Sequence, residues 1–370
     1  MLASYFTSPS FSRKKAFGAS TVLAASLMFS ASAYAAPQVV ATIKPIHSLV
    51  AGVMEGVGTP EILIDGAASP HSFALKPSQA SSLQNADVVF WVGENLETSL
   101  AKALESLPGK ATVVELSETP KLELLPFRTN DGFGDHDEDE HHDGDHDDHG
   151  HDAHDDHDHD KADAHADHDH DKAESEEHAD HDAHEEKHHD EAGHEGHHHT
   201  GLDPHIWLDP ENAIILVDSI ANSLSEADSE NAATYQANAA KMKDHIAALE
   251  TEIQTSLEPV RGRPFVVFHD AYHYFEDRFS IPASGAIALN PETPAGADRI
   301  SDIRETVKDK GIVCVFSEPQ FPAKLVTVVL EGSSAKTATL DPLGTDLQDG
   351  PGLYEALLRQ IAKSMTTCLS

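Results

Sequence analysis

The sequence predicts an α/β protein of two lobes, each a mainly parallel sheet flanked by helices, joined by one long backbone helix. Three observations carry this reading. Short β-branched runs alternate with segments of helical period up to about residue 130, and again after about residue 262. That order gives parallel strands with helical crossovers. Between the two sets, residues 230–257 keep helical spacing through Tyr235, Met242, Ile246, Leu249, Ile253 and Leu257, and would extend about 42 Å at 1.5 Å per residue. Finally, 370 residues suit two compact domains rather than one.

In chain order, the first 35 residues read as a secretion signal. Arg13, Lys14 and Lys15 precede an apolar run rich in Ala and Ser over 16–32, and Ala33-Tyr34-Ala35 supplies a small-residue cleavage site. A membrane-anchoring helix is the competing reading, but the run is short and a processing site follows it. The N-terminal lobe spans 36–228, with strands at 39–43, 61–64, 87–92 and 111–116. Its helices fall at 46–54, 77–83 (Pro77 in the first turn), 96–107 and 211–224. The linking helix occupies 229–258 and is broken by Gly262-Arg263-Pro264. The C-terminal lobe, 259–370, has strands at 265–269, 282–289, 312–316 and 337–340, and helices at 271–279, 295–310, 321–330 and 353–365.

Charge is concentrated in one place. Residues 131–199 hold 29 Asp/Glu and 3 Lys, leaving −13 of the formal −39 to the rest of the chain. No basic cluster follows the first few residues, which excludes nucleic acid as a partner. The segment 131–200 has too little apolar surface to offset its ordering entropy and is expected to be disordered. It also carries 21 of the 27 histidines, in runs that include His141-His142 and His197-His198-His199. A solvated acidic linker has no need of histidine at this density. Imidazole beside carboxylate suits divalent ions, zinc above all, with nickel and copper also possible, so the loop is expected to hold several weak accessory sites.

Six histidines lie outside the loop: His47, His71, His205, His245, His269 and His273. A lone histidine is more often a surface or core residue than a ligand. His245 falls mid-helix beside Lys243 and Asp244 and is expected to face solvent; His47 reads as structural. His71, His205 and His269 fall at loops or strand ends, where open α/β sheets place ligands. Asp341 ends the last strand in TLDPLGT. Three imidazoles and a carboxylate would suit tetrahedral zinc. Cys314 and Cys368 are the only cysteines. A lone pair in an exported chain usually forms a disulfide, and their spacing matches no zinc-thiolate pattern.

At these residues the chain resembles the ZnuA-type zinc-uptake proteins, in the metal-binding branch of periplasmic solute-binding proteins. The resemblance rests on KPIHSLVA (44–51), AASPHSFALKPS (67–78), LQNADVVFWVG (83–93), DPHIWLDP (203–210), VVFHDAYHYFE (266–276), NPETPAGADRI (290–300), CVFSEPQF (314–321) and TLDPLGT (339–345). It implies that His71, His205 and His269 bind Zn(II) between the lobes, with Asp341 or water in the fourth position. Relatives of manganese type carry a carboxylate at the position of His269, so a third imidazole implies zinc. Some zinc-type relatives have Glu before the first His; Pro70 stands there in this chain. The resemblance also implies a Cys314–Cys368 disulfide. It further implies a monomer of the periplasm that passes zinc to the membrane permease of an ABC importer. His273, four residues after His269, is a candidate second-site ligand. Two other readings remain. A zinc hydrolase would need an open coordination position and a general base, and no HExxH is present. A zinc buffer would not need the two-lobed body.

Overall fold

A computed structural model describes residues 36–106, 110–128, 133, 201–289, 291 and 295–370. The expected signal over 1–35 and the accessory histidines His141, His142, His197, His198 and His199 lie outside these residues.

In chain order the first set is β1 (Val39–Ile43), α1 (Lys44–Val53), β2 (Glu61–Ile64), α2 (Pro77–Asn85), β3 (Val88–Trp91), α3 (Thr98–Glu105) and β4 (Thr112–Glu115). Two consecutive helices follow, α4 (Pro210–Ala227) and α5 (Ala232–Leu257). The second set is β5 (Phe265–His269), α6 (His273–Phe279), β6 (Ala286–Ala288), α7 (Ala297–Asp309), β7 (Cys314–Ser317), α8 (Lys324–Leu330), β8 (Lys336–Thr339) and α9 (Leu353–Leu369).

Each set makes one four-stranded, all-parallel sheet, in the orders β2-β1-β3-β4 and β6-β5-β7-β8. The two orders are the same topology used twice. The inner strands β1, β3 and β5 are buried along their whole length, as continuous apolar runs in a helix-covered parallel sheet should be. The edge strands β4 and β8 read TVVE and KTAT and are partly exposed, a composition that discourages further strand pairing.

Helix α4 begins where expected because Asp209 caps it, accepting from the Glu211 amide at 2.9 Å, with Pro210 in the first turn. Two elements depart furthest from expectation. β6 covers only Ala286–Ala288 of the predicted 282–289, because Pro282 has no N–H for a ladder and the Ser284 amide donates to the Phe265 carbonyl beforehand. α9 continues past residue 365 to Leu369, which brings Cys368 to Cys314 in a disulfide with Cα atoms 6.0 Å apart.

The 26 residues of α5 make a rod of about 39 Å at 1.5 Å per residue. It packs on α4, on α1 of the first set and on α9 of the second. Asn238 locks it in place, its amide donating to the carbonyls of Val53 and Glu55. One continuous apolar cluster contains Val40, Val89 and Phe90 of the first sheet together with Phe265, Val267 and Phe316 of the second. A smaller cluster, around Phe268, Ile303 and Val329, fills the outer side under α7 and α8. Among the described residues no helix is long and apolar enough to cross a membrane.

Candidate metal centre

Three connections bring three imidazoles together. His71 sits in a 3-10 turn, Pro70–Ser72, after β2; His205 precedes the turn Ile206–Leu208; His269 is the last residue of β5. His205 Nε2 lies 3.4 Å from His71 Nε2 and 3.4 Å from His269 Nε2. All three donor atoms fall within 4.8 Å of one another, the only such metal-ligating cluster among the described residues. A tetrahedral ion with Zn–N bonds of about 2.05 Å has ligand–ligand edges of about 3.35 Å. The two spacings measured from His205 match such an edge.

The rings are held by what lies behind them. Asp203 Oδ1 accepts from both the amide and Nδ1 of His205, at 2.9 and 2.7 Å. A proton on Nδ1 leaves the Nε2 lone pair facing the cluster. His269 Nδ1 lies 2.6 Å from Glu318 Oε2, out of hydrogen-bond alignment, while its amide donates to Glu318 Oε1 at 3.1 Å. Trp207 tilts against His205 at 5.4 Å, and Phe321 meets His269 edge-on at 5.3 Å. Between these rings remains a space of about 10 Å³, also lined by Pro70, Pro342 and Leu343. That is room for one ion or water. Burial, reinforced by the neighbouring imidazoles, holds His71 and His205 well below the usual histidine pKa. Burial pushes Asp203 up to about 7, against the pull of the His205 amide.

The other candidates stand elsewhere. Asp341 is outside the imidazole cluster. Its oxygens accept from the Leu343 amide at 3.0 Å, the Thr345 amide at 2.5 Å and Gln320 Nε2 at 2.9 Å, so it closes the turn after β8. Trp207 Nε1 ties that turn to the site by donating to the Pro342 carbonyl at 2.9 Å. His273 begins α6 and its Nδ1 is 3.9 Å from Asp203 Oδ2, beyond hydrogen-bond reach. His47 is buried, with Nε2 3.1 Å from the Pro60 carbonyl. His245 is exposed, as expected. Sequence reasoning did not pick out Asp203 or Glu318. The signal for Asp203 was present in DPH, an acid two residues before a candidate ligand. Glu318 follows β7, and only the β5–β7 pairing puts it beside His269.

A three-imidazole pocket for one ion, between two parallel-sheet lobes braced by a long helix, defines a two-lobed metal-binding protein of the solute-binding class. The family described as zinc-uptake complex component A, periplasmic (ZnuA), matches residues 39–368. The chain is 46% identical over 332 residues to the high-affinity zinc uptake system protein ZnuA of Brucella suis, covering 90% of this chain and 91% of that one. It is 41% identical to the protein of the same description from Paracoccus denitrificans over 334 residues, 90% and 92% of the two chains. A crystal structure of ZnuA superposes with a TM-score of 0.64 at 19% identity, covering 90% of this chain and all of that one. The periplasmic zinc-binding protein TroA from Treponema pallidum does so with 0.66 at 17%, covering 90% and 99%. The chain belongs to the ZnuA family of periplasmic zinc-uptake components.

Proposed function

We infer that this protein captures Zn(II) in the periplasm through His71, His205 and His269 and delivers it to the permease of an ABC-type importer. The observation that carries the reading is the 3.4 Å spacing of imidazole nitrogens in a chain of the zinc-uptake family. Zinc is cargo here, held by neutral donors and released intact. The fourth coordination position goes to solvent, because Asp341 is already engaged by three N–H donors. The histidine-rich stretch 131–200 acts as a collector of weakly held ions, following from its composition.

The test is zinc titration by calorimetry on the metal-free mature protein, beside His71→Ala/His205→Ala/His269→Ala and a deletion of residues 131–199. The triple variant is expected to lose the tight site and keep the weak ones; the deletion should do the reverse. Tight binding that survives in the triple variant would move the transport site elsewhere.

A further inference from the structure

The wall beside the three imidazoles carries a carboxylate that does not join them. Asp270 follows His269 directly, is buried, and shares a cleft of about 440 Å³ with His71, His205 and His269. Its charge reaches His205, where it opposes the larger lowering effects of burial and His269. Both of its oxygens are nevertheless taken. Arg128 Nε donates to Oδ1 at 3.0 Å and Oδ2 at 3.1 Å, and Arg128 Nη2 donates to Oδ1 as well. The same guanidinium donates through Nη1 to Glu276 Oε2 at 2.6 Å and through Nη2 to Glu276 Oε1 at 3.2 Å. Phe133 covers its face, the ring centroid 4.4 Å from Cζ. Two carboxylates in the fork and an aromatic ring on the face leave this group one geometry. Glu276 is also fixed from the other side, accepting from the Ala283 amide at 2.9 Å.

We propose that Arg128 determines metal specificity: by holding the Asp270 carboxylate, it keeps a hard anionic oxygen out of an all-imidazole site and so favours zinc over manganese. The proposal rests on the reading of the three imidazoles as the ion site. Imidazole suits zinc, whereas carboxylate oxygen suits manganese and other hard divalent ions. Asp270 sits one residue beyond a ligand at the end of β5, so a released side chain is a ready oxygen donor. Arg128 acts through Asp270 and is a positioning residue; its substitution should change the ratio of affinities, where a merely structural role would lower both together.

The experiment measures zinc and manganese affinities by competition titration on the full chain. Four proteins are compared: the parent, Arg128→Met, Arg128→Met/Asp270→Asn and Arg128→Lys, each with folding checked by circular dichroism. Arg128→Met is expected to lower the zinc-to-manganese affinity ratio about tenfold or more. Adding Asp270→Asn removes the anionic charge from that oxygen and restores the parent ratio. If Arg128→Met fails to fold, because two buried carboxylates lose their partner, Arg128→Lys takes its place. Lysine keeps the charge without the fork, and the ratio should move in the same direction. An unchanged ratio in the folded variant, or a shift that persists with Asp270→Asn, overturns the proposal. His71→Ala, measured alongside, separates the two failures. Tight zinc retained there overturns the imidazole site itself; tight zinc lost there, with an unchanged ratio in the Arg128 variant, overturns only the role of Arg128.

Discussion

His205 and Asp203 form a carboxylate–imidazole pair aimed at a shared point, and their protonation sets how the site responds to pH. Zinc and protons compete for the same Nε2 lone pairs. Because burial and mutual repulsion hold His71 and His205 well below 6.5, these rings stay neutral until the medium is distinctly acidic. Their contribution to affinity is therefore lost below 6.5. Asp203, pushed up to about 7 by burial, gives an earlier step: as pH falls through that value it takes a proton and no longer orients His205 as an anion. The parent is thus expected to lose zinc affinity in two steps. Asp203→Asn should abolish the upper step, keep the lower one, and weaken binding by about tenfold or more at neutral pH, the usual cost of losing an orienting carboxylate. Competition titrations from about pH 7.5 to 4.5, a window spanning the reference histidine value, check this. An upper step that persists in Asp203→Asn would clear Asp203 of the role.

At the scale of elements, most strands and helices were legible because β-branched runs and helical spacing alternate cleanly; β6 was over-long because a proline and an early turn ended its ladder. One buried group braces an element junction. Glu97, just before α3, accepts from the Val92 and Gly93 amides at 3.1 and 3.0 Å and from Thr42 Oγ1. Burial, against the pull of these donors, raises its pKa from 4.5 to about 7. A folded-state value above the unfolded one means that its contribution to stability is full below 4.5 and lost as pH rises through 7. Glu97→Gln can keep the amide bonds through its oxygen and donate to Thr42 instead, so it should flatten the change in melting temperature between those two pH values. Calorimetric melts of both proteins at each end decide it; an equal slope in both would contradict the raised value. The disulfide between β7 and α9 crosses 54 residues of sequence, and closing such a loop is worth about 4 kcal/mol in the chain-entropy model. Cys314→Ser should lower the melting temperature and leave tight zinc binding in place, since neither cysteine is near the imidazoles; loss of zinc in the folded variant would contradict that separation.

For the whole molecule, the shared core matters more than the division into lobes. The main apolar cluster runs from the first sheet to the second, and α5 packs on helices of both sets. Polar ties add to it: Lys44 of α1 donates to the Thr345 and Leu347 carbonyls at 3.1 and 2.9 Å, and the Ser48 hydroxyl to the Gly350 carbonyl at 2.8 Å. The metal-free protein is therefore expected to melt in one cooperative transition, moved upward by zinc through mass action. Two separate transitions in calorimetry would show independent lobes instead. By itself the sequence determined the α/β class, the duplicated strand–helix order, the long helix and the identity of three candidate imidazoles, because periodicity and local motifs are properties of neighbouring residues. It took the folded chain to bring the nitrogens of His71 and His269 each to 3.4 Å from His205, and to stand Glu318 and Arg128 behind them. These are contacts between segments tens to hundreds of residues apart, set by strand pairing and packing, and local sequence pattern carries no record of them.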